Sequence, residues 1–166
     1  MQPDPRFWSG RRVCVTGGTG FLGVHLVTLL RSVGAAVRVF ALPPTAGHPL
    51  TQMEAIETVW GDLLDQHAVG RAVAECDIVF HTAGTVAVWG PAVARLHDVH
   101  VTGTRHVLEA AGGARVVHTS SIVAVGASRS GRVGNWTRPW PQAITAADYI
   151  AETQIAPRLA ALILTI

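Results

Sequence analysis

Two apolar periods alternate along this chain. Short continuous apolar runs, of the kind that become strands buried on both faces, alternate with stretches whose apolar residues recur every three or four positions. Val13–Thr16 reads as the first strand and runs straight into a glycine-rich turn. From Phe21 to Val33, the residues Leu22, Leu26, Leu29, Leu30 and Val33 fall at helical spacing, and Gly34 stands where a helix stops. A second strand is expected over Ala36–Leu42, ended by Pro43-Pro44, with loop up to Gln52. The pattern then predicts a strand at Ala55–Trp60, a short helix around Gln66–Ala74 and a strand at Asp77–His81. Pro91 to Ala111 reads as one long helix, entered through the proline and left through Gly112-Gly113, with a fifth strand at Arg115–Thr119. The stretch 126–145 is rich in Gly, Ser, Pro and Trp and reads as an irregular loop. A last helix at Ala146–Leu159, weakened by Pro157, precedes an incomplete sixth strand within 160–166, with Leu162–Ile166 as its clearest part. Strands alternating with helices predict parallel pairing through right-handed crossovers, an α/β doubly wound sheet of the Rossmann type. The whole of 1–166 is expected to be one domain, with 1–10 as an N-terminal lead.

Composition narrows the partners. Hydrophobic residues make up 49% and charged residues 14%, which suits a sheet covered on both faces and excludes disorder. The net charge is +2 and the 13 basic residues are scattered, so no stripe for nucleic acid is present. All of them are arginine, and no step that needs a lysine is available. Cys14 lies in a strand-like run and is expected to be buried; Cys14 and Cys76 make neither a disulfide framework nor a zinc signature. His97 and His100 stand three apart without a convincing third ligand, so no metal is expected. The first 12 residues contain no apolar segment of the secretory kind, and Leu159–Leu164 is too short to span a bilayer. These features predict a cytoplasmic protein with no membrane partner.

The candidate chemistry begins at the glycine turn. Gly18-x-Gly20-x-x-Gly23 follows a strand and opens a helix. The first glycine permits the turn, the second lets backbone approach a pyrophosphate, and the third lets helix and strand pack closely. Free amides at the helix start then face the phosphates. NAD binding ordinarily adds an acid at the end of the second strand for the ribose 2′-hydroxyl. No Asp or Glu stands between Asp4 and Glu54. Arg38 or Arg12 near that strand would favour a 2′-phosphate, unless both face solvent. The cofactor is therefore NADP or NAD, with a tilt towards NADP.

With these residues in hand, the chain resembles the extended short-chain dehydrogenase/reductases, the superfamily of NAD-dependent epimerase/dehydratases. Within it the likeness is to dihydroflavonol-reductase-like and 3-beta-hydroxysteroid-dehydrogenase-like members. Five segments carry it, in the family's order: Thr16-Gly17-x-x-Gly20-x-x-Gly23, Gly61-Asp62-Leu63, His81-Thr82-Ala83-Gly84, Val99-His100-Val101-Thr102-Gly103-Thr104 and Thr119-Ser120-Ser121. The fourth has His100 where the family has asparagine. The resemblance assigns Gly17, Thr19, Gly20, Phe21, Leu22, Gly23, Asp62, Leu63, His81, Ala83 and Thr119 to the cofactor, with Asp62 on the adenine. Read alone, Asp62 also fits a solvated loop carboxylate and His81 a satisfied strand-end histidine.

The resemblance also implies a catalytic set. In the family a serine and a tyrosine hold the reacting oxygen, and a lysine four residues after the tyrosine lowers its pKa and anchors the nicotinamide ribose. Ser121 and Tyr149, the only tyrosine, match the first two. Thr153 occupies the lysine position, and Arg158 lies more than two helical turns from Tyr149. Extended members also continue into a C-terminal substrate domain that has no counterpart here. The expectation is an oxidoreductase of hydroxyl or carbonyl compounds, steroid- or flavonoid-like, impaired in turnover. A nucleotide-sugar epimerase/dehydratase and a non-catalytic dinucleotide-binding remnant, from a truncated or frame-shifted gene, remain as alternatives. Family analogy adds a homodimer.

Overall fold

The computed structural model describes residues 4–44, 46–53, 56–86, 94–121 and 159–164. In chain order these hold α1 (Pro5–Trp8), β1 (Arg12–Thr16), α2 (Phe21–Ser32), β2 (Ala36–Ala41), a 3₁₀ turn (Pro49–Gln52), β3 (Glu57–Trp60), α3 (Gln66–Val73), β4 (Ile78–His81), a π-wound segment (Asp98–Gly103), α4 (Thr104–Ala111), β5 (Arg115–Ser121) and β6 (Leu159–Leu164). All six strands pair in parallel in the order β3-β2-β1-β4-β5-β6. That is the doubly wound order, with its reversal of direction between β1 and β4.

The apolar runs explain the sheet. Along β1, Val13 and Val15 face one side and Cys14 and Thr16 the other, and all four are fully buried. One side carries Val13, Val15, Val37, Val39 and Ile78 under Val27 and Leu30 of α2. The other carries Cys14, Phe40, Val79 and Val116 under α3 and α4, through Val69, Val73, Val107 and Leu108. Each such side chain contributes about 1.5–3 kcal/mol by leaving water.

Four expectations change. The N-terminal lead is partly structured: Asp4 caps α1, and Trp8 stacks towards Phe80 at 6.1 Å. The loop after β2 contains a 3₁₀ turn, started by Pro49 and capped by His48. The described part of the long helix is not uniformly α-helical, because Asp98–Gly103 is wound as π before α4 begins. The sixth strand starts at Leu159, earlier than the expected Leu162, so Leu159 is strand where the end of a helix was expected. The run Leu159–Leu164 is apolar throughout and pairs residue for residue with Val116–Ser121, as a parallel strand requires. The stretch 126–145, expected as an irregular loop, and 146–158, expected as helix, lie outside the described residues.

Candidate functional site

The glycine turn sits where the sheet order reverses. Thr16 ends β1, and Gly17 turns the chain with φ +70°, a left-handed conformation that glycine adopts without penalty. A side chain there would also run into the Ala83 backbone, at 2.6 Å from its Cα. Gly18 lies so close to Val39 that an added carbon would stand 2.6 Å from its side chain. At Gly23 an added carbon would collide with the Gly17 carbonyl and the Gly18 backbone. Gly20 differs: an added carbon meets only the Gly17 oxygen, at 3.2 Å. Gly17 and Gly23 therefore let backbones touch, Gly18 makes room for the Val39 side chain, and Gly20 lines the cleft. Gly20 is also the N-cap of α2, with no side chain capping the helix. The first-turn amides of α2 thus lack intrahelical acceptors and present a partial positive charge.

A cleft of 370 Å³ opens in front of this turn. Gly17, Thr19 and Gly20 form one wall, and Thr82, Ala83, Gly84 and Thr85 after β4 form the facing one. Phe40, Ala41 and Leu42 end β2 on its floor, with Gly61, Asp62 and Leu63 after β3 and Arg95 and Val99 closing the far end.

The β4 wall is held by polar side chains. The Thr82 hydroxyl donates to the Thr16 carbonyl at 2.6 Å, and the Ala83 N–H donates to the Thr16 hydroxyl oxygen at 3.2 Å. Under this wall the His81 ring spans two hydroxyls, with Nδ1 2.7 Å from Thr16 Oγ1 and Nε2 3.0 Å from Thr104 Oγ1. Its neighbour in register, His118, lies 5.1 Å away ring to ring. Burial, then the charges of His118 and His100, push the His81 pKa down to about 3. Burial, then His100, pushes His118 down to about 4. Both rings are neutral at physiological pH. From the π-wound segment, His100 Nε2 donates to the Thr85 carbonyl at 2.7 Å and its ring packs on Gly84.

The β3 loop is fixed in the same way. Asp62 Oδ1 accepts from the Leu64 N–H at 3.0 Å, and Oδ2 pairs with Arg95 at 3.0 Å. His106 of α4 reaches the Leu63 carbonyl at 2.9 Å, and Gly103 leaves room for the Leu63 side chain.

Of the residues assigned from the sequence, Gly17, Thr19, Gly20, Asp62, Leu63 and Ala83 meet around this cleft. Phe21, Leu22 and Gly23 begin α2 beside it, with Phe21 strongly exposed and Gly23 buried. The His81 ring lies beneath the cleft and not in it, which is the satisfied strand-end reading. Thr119 and Ser121 end β5, and Ser121 pairs in register with Leu164. Tyr149 and Thr153 lie outside the described residues. Neither arginine suggested for a 2′-phosphate is placed for it. Arg38 is bound to Glu57 at 2.8 Å and to the Ala72 and Ala74 carbonyls, while Arg12 pairs with Glu75 at the opposite end of β1. Residues that sequence reasoning missed are Arg95, His100 and His48, whose Nε2 donates to the Thr19 carbonyl at 2.9 Å. The histidine in the family's asparagine position was the one visible signal among them.

The family pattern of the 3-beta hydroxysteroid dehydrogenase/isomerase family matches residues 14–156. The chain belongs to that family. It is 40% identical over 126 residues to 3 beta-hydroxysteroid dehydrogenase type 7 of Homo sapiens, covering 70% of this chain and 34% of the relative. It is 35% identical over 153 residues to a 3-beta-hydroxysteroid dehydrogenase of Mycolicibacterium neoaurum, covering 87% and 40%. Among solved structures, an epimerase of Methanothermobacter thermautotrophicus superposes with a TM-score of 0.76 at 25% identity, covering 98% of this chain and 53% of that one. UDP-glucose 4-epimerase of Brucella ovis, solved in complex with NAD, gives 0.67 at 27% identity, covering 94% and 51%. The extended short-chain dehydrogenase/reductase resemblance thus holds, and the steroid-dehydrogenase branch is the specific one. The chain spans between about a third and half the length of these relatives. Among the described residues no helix is long and apolar enough to cross a membrane.

Proposed function

We propose that this chain is the dinucleotide-binding portion of an NAD(P)-dependent oxidoreductase acting on a hydroxyl or carbonyl carbon of a steroid- or flavonoid-like compound. The observation that carries the proposal is the open face of Gly20 at the uncapped start of α2, in the crevice between β1 and β4. A pyrophosphate needs backbone amides without a side chain in front of them, and this turn offers that. The amides at the start of α2 would hold the phosphates, Asp62 would hold the adenine, and Ala83 to Thr85 would flank the dinucleotide. When bound, NAD(P) supplies the hydride carrier.

Turnover rests on Ser121 and Tyr149, the serine holding the substrate oxygen and the tyrosine exchanging its proton. A tyrosine titrates near ~10 without help. With Thr153 in the lysine position, no neighbouring ammonium lowers that value, and the nicotinamide ribose loses an anchor. The loss is about 10²–10⁴-fold in rate, the scale of general acid–base catalysis. This favours a chain that binds dinucleotide and turns over slowly. The check is a panel of hydroxysteroids and flavanonols with either dinucleotide, followed by absorbance of the reduced nicotinamide. Tight dinucleotide binding with little turnover is expected, and Thr153→Lys is expected to tighten binding several-fold. Fast turnover by the unmodified chain would overturn the assignment of the tyrosine's helper. The same reading puts the protein in the cytoplasm, in keeping with the free thiols of Cys14 and Cys76, and gives it a homodimer contact along α4, to be checked by sedimentation.

A further inference from the structure

We infer that Arg95 reads the 2′-position of the adenosine ribose and gives the cleft a preference for the 2′-phosphorylated dinucleotide. The inference rests on the dinucleotide reading and adds to it the residue that discriminates. At the end of β2 the floor of the cleft is Ala41 and Leu42, which offer no carboxylate to accept bonds from a ribose hydroxyl pair. Pro43 and Pro44 follow and have no N–H to donate. Among the described residues that end β2, no carboxylate rewards a free 2′-hydroxyl or repels a phosphate.

Arg95 is the one cationic side chain among the described residues that line the cleft. Its side chain is 61% exposed and its guanidinium reaches Asp62 Oδ2 at 3.0 Å, at the end of the cleft where β2 and β3 finish. The other Asp62 oxygen accepts from the Leu64 N–H. An exposed pair of this kind is weakly held and opens readily. An adenine amino group arriving at Oδ2 competes with the guanidinium for that oxygen. The released fork then finds a phosphate in its reach, which it matches with two parallel hydrogen bonds. The arginines that the sequence offered for this task are placed elsewhere: Arg38 is held by Glu57 and by the Ala72 and Ala74 carbonyls, and Arg12 starts β1, at the end of the strand away from the glycine turn.

The test is calorimetric titration of the full chain with adenosine 2′,5′-bisphosphate and with 5′-AMP, repeated with NADP⁺ and NAD⁺. The unmodified chain is expected to prefer the 2′-phosphorylated member of each pair by about tenfold, the scale of one charge-assisted contact. Arg95→Ala and Arg95→Gln are expected to bring both ratios close to one, and Asp62→Asn to keep the preference. Circular dichroism of each variant confirms that it is folded. Equal affinities in the unmodified chain, or a ratio that survives in Arg95→Ala, overturn the inference while leaving the dinucleotide reading standing. No binding of any of the four compounds overturns both.

Discussion

The two walls of the cleft are built on different principles. The glycine-turn wall is shaped by what is missing: Gly17 and Gly23 let backbones approach, and Gly18 makes room for Val39, where an added side chain would collide. The β4 wall is shaped by what is present, a set of polar side chains from other elements that grip it, namely Thr16, His81, Thr104 and His100. The first wall therefore fails by overpacking and is indifferent to pH. The second is held by hydroxyls and by the buried, neutral imidazole of His81, so its weakness is the proton.

The largest effect separating them is expected at Gly23. Gly23→Ala puts a carbon into the Gly17 carbonyl, a contact with backbone that cannot step aside. A loss of about 3 kcal/mol is expected, at the upper end of overpacking costs, read as a lower urea midpoint. A midpoint equal to that of the unmodified chain would show that helix and turn are not in contact there.

Next comes acid. The folded-state pKa values of His81 and His118 lie near about 3 and about 4, below the value of about 6.5 in the unfolded chain. Between these limits the unfolded chain binds more protons, so stability is fully present above about pH 6.5 and falls as pH drops towards 4 and then 3. The slope is up to about 1.4 kcal/mol per pH unit for each histidine. Urea titrations at pH 7 and pH 5 measure it, and His81→Gln is expected to flatten it. A slope unchanged in that variant would remove His81 from the account. The smallest effect is at His100. His100→Ala frees the Thr85 carbonyl at a half-exposed site, for about 1 kcal/mol of stability. The dinucleotide affinity is expected to fall severalfold with it, and an unchanged affinity would mean that the β4 wall needs no clamp.

This contrast also explains how much was legible in the sequence. The strand–turn–helix around Val13 to Gly23 is local: a buried apolar run, glycines at fixed spacing and a helical period lie within two dozen residues. The parallel pairing of a doubly wound sheet follows from alternation with crossovers. The β4 wall is not local. Thr16 and His81 are 65 residues apart and His81 and Thr104 are 23 apart, and no period or spacing pairs them. Arg38 shows the same limit from the other side. Its place on β2 suggested a phosphate ligand, but Glu57, its partner in register on β3, claims it. The π-wound Asp98–Gly103 hides within a pattern that reads as one helix, because apolar spacing does not distinguish one added residue per turn.

The central claim is that this cleft holds a dinucleotide against the open face of Gly20, and one substitution isolates it. Gly20 has φ −76° and ψ 170°, extended backbone that any residue adopts, and an added carbon there meets only the Gly17 oxygen, at 3.2 Å. Gly20→Val should therefore keep the fold, with the Gly17 carbonyl giving way slightly, while its methyl groups stand where the phosphates must approach. Calorimetric titration with NADP⁺ and NAD⁺ is expected to show binding in the unmodified chain and a loss of about a hundredfold or more in the variant, about 2.7 kcal/mol. Equal dinucleotide affinity in the two folded proteins would contradict the account.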